Sequence, residues 1–552
     1  MTKRIELAVR GMTCDGCATH VTAALQAVPG VLRAEVPGWQ SRRALVDVQP
    51  GTGTAALAAA VSAAGYAATV ATRREDVSST RAPAEVAADF DLLVIGAGSA
   101  GFAAAIKGAE LGARVALAGD GTLGGTCVNV GCVPSKTLIR AAHAWHRAAH
   151  HPFQGVETRQ VAFDWNTVRG EKDTLVSAMR QEKYADVLAG YPAITFIPGR
   201  ARFELDGAVR VGDRLVRAGK YVLATGARPR IVPIPGAAEA GVLTSTTVMD
   251  LPALPESMVV LGGRAVALEL GQMMARFGVR VTILQRSERI IPEHERELAR
   301  ALTEALVEEG IEVVTGVQVE RIDIDGQQRV VRARVEGRAE VFRAAQVLMA
   351  LGREPHTAGI GLEEVGVERD HTGGVRVDAR MRTSNPRVYA AGDVSDKPEF
   401  VYVAAAGGAV AAENALAGTH RELDLSAMPT VIFTEPQVAT VGLTEAGAVA
   451  AGLDVRSSTL PLRHVPRALA ARETRGVIKL VADRATGRLL GAHAVAADAG
   501  EIIQTAVLAV KYGLTVDDLT GTLFPYLTMA EGIKLAAQAF DKDVAKLSCC
   551  AA

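Results

Sequence analysis

The sequence has almost no net charge, no long hydrophobic run and few cysteines. A formal net charge of −1 over 552 residues gives no electrostatic basis for binding nucleic acid or an anionic membrane. No apolar run approaches the length of a membrane span, and no long apolar segment follows the N-terminus. We therefore expect neither membrane insertion nor a signal peptide. Hydrophobic residues make up 49% and charged residues 22%, which is typical of a globular chain of several domains.

The six cysteines are too sparse for a disulfide scaffold, and they occur as three close pairs. The pairs are Cys14/Cys17, Cys127/Cys132 and Cys549/Cys550. In a reducing cytosol such pairs indicate metal or redox sites, so we predict a cytoplasmic protein with thiol chemistry. Adjacent cysteines form a disulfide only in a strained ring, so the terminal pair suits metal capture.

The first 71 residues have the pattern of a small separate domain. Strands are predicted over 5–9, 33–36, 44–48 and 66–70, with helices over 18–28 and 55–64. This βαββαβ order predicts a ferredoxin-like fold, in which we interpret His20 as a solvated helix residue. The form Gly-Met-Thr-Cys14-x-x-Cys17 resembles heavy-metal-associated domains, which implies that both thiols hold a soft metal ion. The polar stretch 72–88 is predicted to be a flexible linker.

A dinucleotide-binding pattern begins after the linker. A buried strand over 90–95 runs into Gly96-Ala97-Gly98-Ser99-Ala100-Gly101, followed by a helix through 111 and a strand over 114–118. A Gly-x-Gly-x-x-Gly turn enclosed in this way is a strong signal, because its glycines let a pyrophosphate approach the helix N-terminus.

The central thiol pair lies between glycines and an amphipathic run. Cys127 and Cys132 belong to the stretch from Gly124 to Lys136, and the run over 137–149 follows at once. The cysteines therefore lie at or near a helix N-terminus, whose partial positive charge favours the thiolate.

A second nucleotide-binding pattern covers a strand over 257–261, a Gly262-Gly263-Arg264 turn, a helix through 277 and a strand over 280–284. The second strand ends at Gln285-Arg286, where an NAD site would have a carboxylate. Because Gln285 has no charge and Arg286 can meet a 2′-phosphate, the pattern favours NADPH.

The thiol stretch and the two nucleotide patterns together resemble the pyridine-nucleotide disulfide oxidoreductases. The resemblance implies an α/β protein with two Rossmann-like nucleotide-binding domains, for FAD and NADPH, and an α+β dimer-interface domain. These follow the small ferredoxin-like βαββαβ metal-binding domain. The predicted boundaries are 1–71 for the heavy-metal-associated domain, 72–88 for the linker, 89–233 and 353–425 for the two parts of the FAD domain, 234–352 for the NADPH domain, 426–547 for dimerisation and 548–552 for a mobile Cys-Cys tail.

The same resemblance assigns roles to individual residues. Cys132 would be the thiolate against the flavin, Cys127 the outer thiol, and Lys136 a neighbour of the reactive flavin nitrogen, with Glu269 as the partner of Lys136. Cofactor-binding positions would be Gly96, Gly98, Gly101, Asp120, Gly125, Thr126, Lys136, Thr225, Gly226, Asp393, Gly262, Arg286 and Gly352. The usual ribose-binding acid is replaced by Gly119, so either Asp120 takes that role or ribose binding is altered.

One departure narrows the predicted reaction. Disulfide-reducing members have a histidine at the position of Tyr526, with a glutamate five residues later, here Glu531. A tyrosine, with its pKa of about 10, is a poor proton shuttle at neutral pH, which argues against thiol–disulfide exchange. The sequence combines this tyrosine with the Cys14/Cys17 domain and the terminal Cys-Cys. In that combination it resembles the mercuric reductases.

That closer resemblance implies NADPH-dependent reduction of Hg(II) to Hg(0) in a homodimer. Cys127 and Cys132 would bind the ion, Tyr184 and Tyr526 would flank it, and Cys549 and Cys550 of the other subunit would deliver it. Hg(II)–thiol complexes would be the substrate, and a membrane mercury transporter is a candidate donor. The alternatives are a disulfide reductase of the glutathione or dihydrolipoamide kind and a metallochaperone on an inert flavin scaffold.

Overall fold

The structure is a computed structural model that describes residues 3–13, 15–41, 43–49, 52–70, 88–543 and 546. The chain divides into two compact units, Met1–Val86 and Ala87–Ala552. No helix among the described residues is long and apolar enough to cross a membrane. The expected linker over 72–88 lies, except for its last residue, outside the described residues, as do Cys14, Cys549 and Cys550.

The first unit has the predicted βαββαβ order. Its elements are β1 (Lys3–Arg10), α1 (Asp15–Gln26), β2 (Val31–Glu35), β3 (Arg43–Val48), α2 (Thr54–Ala63) and β4 (Ala67–Val70). The antiparallel sheet has the order β2-β3-β1-β4. Alternate β1 side chains, Ile5, Leu7 and Val9, are buried against the two helices, because successive residues of a strand point to opposite faces.

The second unit begins with a five-stranded parallel sheet, whose strands are, in order, β21 (Val388–Ala390), β11 (Ala218–Leu223), β5 (Phe90–Ile95), β6 (Val115–Gly119) and β7 (Ile194–Pro198). The first elements are β5 (Phe90–Ile95), α3 (Ser99–Glu110), β6 (Val115–Gly119), α4 (Gly125–Val130), α5 (Cys132–Arg147), α6 (Trp165–Arg180), α7 (Asp186–Ala189), β7 (Ile194–Pro198), β8 (Ala201–Phe203), β9 (Val209–Val211), β10 (Arg214–Val216), β11 (Ala218–Leu223) and β12 (Ala227–Pro229). Strands β5 and β6 are almost entirely buried, as expected for parallel strands covered on both faces.

A second parallel sheet, of order β15-β14-β13-β19, follows. Its part of the chain contains β13 (Ser257–Leu261), α8 (Ala265–Arg276), β14 (Arg280–Leu284), α9 (Arg296–Glu308), β15 (Glu312–Val314), β16 (Val317–Asp325), β17 (Gln328–Val335), β18 (Arg338–Ala344) and β19 (Gln346–Met349). Strands β16 to β18 form a separate antiparallel sheet.

The chain then returns to the first sheet. Strand β20 (Arg353–Pro355) pairs with β12, so the two crossings between the sheets form an antiparallel ribbon. Strand β21 (Val388–Ala390) adds beside β11, and α10 (Val401–Ala417) packs on α3. The first nucleotide-binding region is therefore built from two separate parts of the chain.

The last part is an antiparallel sheet of order β22-β23-β26-β25-β24 with helices. Its elements are β22 (Pro429–Ile432), β23 (Gln437–Gly442), α11 (Glu445–Ala450), β24 (Val455–Pro461), α12 (Pro466–Ala471), β25 (Val477–Asp483), β26 (Leu489–Ala496), α13 (Ala499–Tyr512), α14 (Val516–Gly521) and α15 (Glu531–Gln538). Helices α13 and α15 cover this sheet with apolar side chains such as Ile503, Ala506 and Ile533. The predicted fold class is confirmed.

Candidate active site

The central thiol pair lies where two helices meet. Cys127 is within the short helix α4, and Cys132 is the first residue of α5, at a helix N-terminus as predicted. Gly131 separates the helices, and a Cβ at this position would lie 2.8 Å from the Thr126 carbonyl oxygen. Both cysteines are free thiols, Cys127 half-buried and Cys132 exposed. This turn therefore places one thiol at a helix N-terminus and the other beside it.

The two thiols differ in acidity. A hydrogen bond from the Cys127 thiol and the positive charge of Lys136 lower the pKa of Cys132 to about 7, although burial opposes the shift. The same hydrogen bond, reinforced by burial, raises the pKa of Cys127 well above its usual range. Cys132 therefore ionises near neutral pH while Cys127 keeps its proton, which gives the two sulfurs different chemistry.

Lys136 follows Cys132 by one helical turn and forms an ion pair across the fold. Its Nζ lies 2.5 Å from Oε2 of Glu269 in α8 and 4.7 Å from the centroid of the Phe433 ring. Only 8% of the Glu269 side chain is exposed, and its Oε1 accepts a 2.9 Å hydrogen bond from the Phe433 N–H. The ammonium is thus held in a fixed position near the thiolate.

Tyr184 lies in the same region as the thiols. It belongs to a single π-helical turn, Gln181–Ala185, between α6 and α7. Its ring packs edge-on against Phe102 at 4.8 Å, and a Cβ at Gly124 would meet the ring at 3.1 Å. Burial raises the pKa of Tyr184, and the charges of Cys127 and Cys132 contribute to the shift. The phenol therefore remains neutral beside the sulfurs.

The Gly96–Gly101 turn fits a dinucleotide pyrophosphate by its shape. Gly96 has φ +117°, and a Cβ there would lie 2.1 Å from the Ala224 carbonyl oxygen. Gly98 and Gly125 approach so closely that a Cβ on Gly125 would lie 2.6 Å from the Gly98 Cα. The turn at the N-terminus of α3 therefore has a bare backbone that a phosphate can approach.

Asp393 occupies the loop after β21, at the carboxyl end of the same sheet. Arg353 Nε lies 3.7 Å from its carboxylate. Burial raises the pKa of Asp393, although the Arg353 charge opposes the shift. Binding sites of open α/β sheets lie at this edge, so the fingerprint turn and Asp393 together fit FAD.

The chain is similar to known proteins along most of its length. Residues 90–408 match the family described as pyridine nucleotide-disulphide oxidoreductase, 428–537 match its dimerisation domain, and 6–67 match the heavy-metal-associated domain. The chain is 44% identical to a mercuric reductase of Staphylococcus aureus, with 99% of each chain covered. It is 45% identical to one of Acidithiobacillus ferrooxidans, with 99% of this chain and 98% of the relative covered. The chain belongs to the mercuric reductase family.

A solved structure shares the fold of the second unit. The HOCl-induced flavoprotein disulfide reductase RclA from Escherichia coli is 30% identical, with a TM-score of 0.73 over 81% of this chain and 99% of that chain. Its Cu(II) complex aligns similarly, with a TM-score of 0.72 at 30% identity over 80% of this chain and 98% of that chain. The mercuric reductase family thus shares its core fold with a disulfide reductase.

The second nucleotide turn has Arg264 where the Gly-x-Gly-x-x-Gly pattern has its second glycine, and the backbone there can accept a side chain. Gly262 has φ +118°, and a Cβ there would lie 2.6 Å from the Ala350 carbonyl oxygen. Arg264 has φ −109° and ψ −176°, an extended conformation open to any residue. Gln285 is buried, and its side chain lies so close to Gly263 that an added Cβ would be 2.9 Å away. Arg286 is exposed just beyond β14, so it can receive a phosphate.

Other predicted residues lie at or near the edges of these sheets. Asp120 is exposed after β6, whereas a Cβ on Gly119 would lie 3.0 Å from the Ala97 Cβ. An acid at position 119 would therefore crowd the fingerprint turn. The remaining predicted positions are Thr126 in α4, Thr225 bonded to the His356 carbonyl at 2.8 Å, Gly226 with φ +69°, and Gly352 with φ +102°.

The other predicted metal ligands and Tyr526 belong to parts of the chain away from the central thiol stretch. Cys17 is half-buried in α1, and its sulfur lies 3.8 Å from the Thr13 hydroxyl. His20 is exposed with its ring edge-on to Tyr66, and Cys14 lies outside the described residues. Tyr526 is 55% exposed in the loop between α14 and α15. Cys549 and Cys550 fall beyond the described part of the chain.

Several site residues were missed by the sequence reasoning. Phe433 contacts Lys136, Gln272 bonds to the chain beside Phe433, and Arg353 lies beside Asp393. Arg353 directly follows Gly352, a predicted cofactor-binding position, which is a weak sequence signal. Phe433 and Gln272 have no local signal, because their contacts join distant parts of the chain.

Proposed function

We propose that this chain reduces Hg(II) to Hg(0) with electrons from NADPH, through bound FAD: NADPH + Hg(II) → NADP⁺ + H⁺ + Hg(0). The observation that supports this reaction best is the unequal thiol pair beside the Lys136–Glu269 ion pair and Tyr184. Two thiolates are the ligands that a soft ion such as Hg(II) prefers. Detoxification of mercury is the corresponding role in the cell.

FAD would lie along the Gly96–Gly101 turn, with Asp393 at its other side and Lys136 near its reactive nitrogen. NADPH would lie along the Gly262 turn, with Arg286 at its 2′-phosphate. Bound FAD would supply the chemistry that takes up hydride from NADPH and gives two electrons to the ion. The residues of the chain bind these cofactors, fix the ammonium of Lys136 and hold the substrate ion.

Cys127 and Cys132 would hold Hg(II) as a dithiolate, losing the proton of the Cys127 thiol when the ion binds. Tyr184 and Tyr526 would flank the ion, with Tyr526 supplied by the partner in a homodimer. Because no product thiol has to be protonated, the reaction needs no histidine at position 526. This chemistry explains a tyrosine where disulfide reductases have a proton shuttle.

Delivery of the ion would use the other two cysteine pairs. Cys14 and Cys17 would capture Hg(II) from thiol adducts or from a membrane transporter, and Cys549 and Cys550 of one subunit would hand it to the other subunit's inner pair. Exchange between thiolates allows such a relay, because an incoming thiolate displaces one already bound. A cytoplasmic location fits the use of NADPH and thiol-bound mercury.

One assay tests the proposed function against its alternatives. NADPH oxidation is followed with Hg(II) in excess small thiol, with oxidised glutathione, and with lipoamide, while Hg(0) vapour is trapped. We expect NADPH loss and vapour only with Hg(II). Turnover of either disulfide without vapour would establish a disulfide reductase, and binding of Hg(II) without NADPH oxidation would establish a metal-binding protein.

A further inference from the structure

One face of helix α8 carries three buried polar residues. Glu269, Gln272 and Arg276 are spaced three and four residues apart, so they lie on the same side of the helix, and each is at most 7% exposed. Buried polar side chains of this kind need hydrogen-bond partners. We name this surface the α8 contact face.

The α8 contact face binds the main chain that joins β22 to β23. Gln272 forms two hydrogen bonds with the main chain of Glu435. Its Oε1 accepts from the Glu435 N–H at 2.8 Å, and its Nε2 donates to the Glu435 carbonyl at 2.7 Å. Glu269 Oε1 accepts from the Phe433 N–H at 2.9 Å. Arg276 Nη2 also donates to the Glu435 carbonyl, at 3.5 Å, so four side-chain hydrogen bonds fix the segment of Phe433 and Glu435 to α8.

Arg276 completes the face and holds Gln272 in place. It forms two hydrogen bonds to Glu309, Nε to Oε2 at 2.9 Å and Nη2 to Oε1 at 2.8 Å. Gln272 Nε2 also lies 3.1 Å from the same Glu309 Oε2. The shared carboxylate fixes the orientation of the Gln272 amide, because Nε2 is the only donor of that side chain.

Both close contacts of the Lys136 ammonium depend on this arrangement. One is Glu269 Oε2 at 2.5 Å, and the other is the Phe433 ring at 4.7 Å. Phe433 is itself bonded to Glu269 and lies two residues from the atoms that Gln272 holds. Movement of the Phe433–Glu435 segment would therefore move the ammonium.

We propose that Gln272 is a positioning residue that sets the place of the Lys136 ammonium, and through it the electron affinity of the bound flavin. This inference rests on the proposed function in that Lys136 is taken to lie beside the flavin. A nearby positive charge stabilises the negative charge of a reduced cofactor. Loss of the Gln272 bonds would displace the charge and make the flavin harder to reduce.

The experiment is a double-mutant cycle on the midpoint potential of bound FAD. Gln272→Met removes the donor and the acceptor at nearly constant length, and it is made in the natural sequence and in a Lys136→Met background. Potentials are measured by dye equilibration on the purified holoenzyme, without mercury. We expect about a tenfold loss in the reduction equilibrium in the natural background, or about 30 mV for a two-electron couple, and no shift in the Lys136→Met background.

The control is Asn414→Leu, which removes a buried amide bonded to the Arg380 and Arg421 carbonyls. It should lower the melting temperature and leave the potential unchanged. Equal shifts in both backgrounds, or no shift in either, would overturn the positioning role. If Gln272→Met does not fold, Gln272→Leu, which also removes the donor and the acceptor and adds no charge, is put through the same cycle under the same criteria.

The readout separates this inference from the proposed function. If the holoenzyme binds yellow flavin but does not reduce Hg(II), the midpoint potentials of the mutant cycle can still be measured. In that case the proposed function is wrong, and the positioning role of Gln272 is still tested. A folded chain that binds no FAD overturns both.

Discussion

The Cys127 thiol donates a hydrogen bond to the sulfur of Cys132, and this contact is the main reason that two neighbouring cysteines differ in acidity. Cys132 becomes the thiolate near neutral pH, helped by Lys136, while Cys127 keeps its proton. The contact depends on Gly131, which lets α5 restart beside α4.

Removing the donor should raise the pKa of Cys132. In the natural dithiol form, alkylation of Cys132 by iodoacetamide should have its midpoint at about pH 7, the pKa given by the hydrogen bond from Cys127 and the charge of Lys136. Cys127→Ala should move this midpoint toward about 8.5, the value of a free thiol. Cys127→Ser still donates and should keep it low. Mass spectrometry of the peptide that contains Cys132 measures the alkylation midpoint of each variant. Equal midpoints for the alanine and serine variants would contradict the hydrogen-bond explanation.

The cofactor preference should depend on Arg286. Arg286→Glu places a carboxylate where a 2′-phosphate would bind, so it should raise the KM for NADPH and shift the ratio of kcat/KM toward NADH by at least tenfold. Arg280→Glu is the matched control, an exposed arginine at the opposite end of β14. If Arg286→Glu and Arg280→Glu gave the same ratio of kcat/KM for NADPH and NADH, Arg286 would have no part in cofactor specificity.

Stability should depend on pH through Glu435. Burial raises its pKa to about 7, while Arg276 opposes the shift and Glu473 and Asp498 add to it. Because the folded pKa lies above the unfolded one, the stabilisation is complete below about pH 4.5 and is lost as the pH rises through 7. Glu435→Gln should therefore raise the free energy of unfolding by roughly 2 kcal/mol at pH 8 and little at pH 5.

Urea unfolding at pH 5 and pH 8 measures this effect. Glutamine keeps the main-chain bonds to Gln272, so the variant changes only the side-chain charge. The exposed Glu304→Gln serves as the control, with little change expected at either pH. A gain of the same size at both pH values would show that ionisation of Glu435 is not the cause.

Lys479 should be essential for stability. Its side chain, 3% exposed, lies within 3.1 Å of Glu295, Glu297 and Glu445, and so joins the start of α9 to the dimerisation sheet. Lys479→Met leaves Glu295 buried without its cation and should cost about 3–5 kcal/mol. Arg300→Met, at an exposed pair with Glu304, should cost less than about 1 kcal/mol. Thermal denaturation compares them, and equal losses would show that burial of Lys479 is unimportant.

Delivery between subunits should appear in hybrid dimers. A chain with Cys549→Ala and Cys550→Ala should lose turnover of thiol-bound Hg(II) while its flavin is still reduced by NADPH. Isolated hybrids with a Cys127→Ala, Cys132→Ala chain should regain activity, because one complete site is rebuilt from the two chains. Inactive hybrids whose parents bind FAD and dimerise would show that the terminal cysteines do not act across the dimer.

The sequence by itself determined the local units of this protein. Strands such as Phe90–Ile95 are almost continuously apolar, the Gly96–Gly101 turn needs residues without a Cβ, and the cysteines lie in short pairs. Such features depend on neighbours along the chain, so periodicity and spacing predict them. The amphipathic run after the cysteines likewise predicted a helix N-terminus at or near them, and α5 begins at Cys132.

Only the tertiary structure decided how the site is held together. Lys136 meets Glu269 across 133 residues, and Glu269 meets Phe433 across 164. The resemblance to a family suggested the first partner, but nothing in the local sequence pointed to Phe433 or Gln272. The packing of α8 against the β22–β23 connection brings them together, because buried polar groups must find partners and only the folded chain determines which lie within reach.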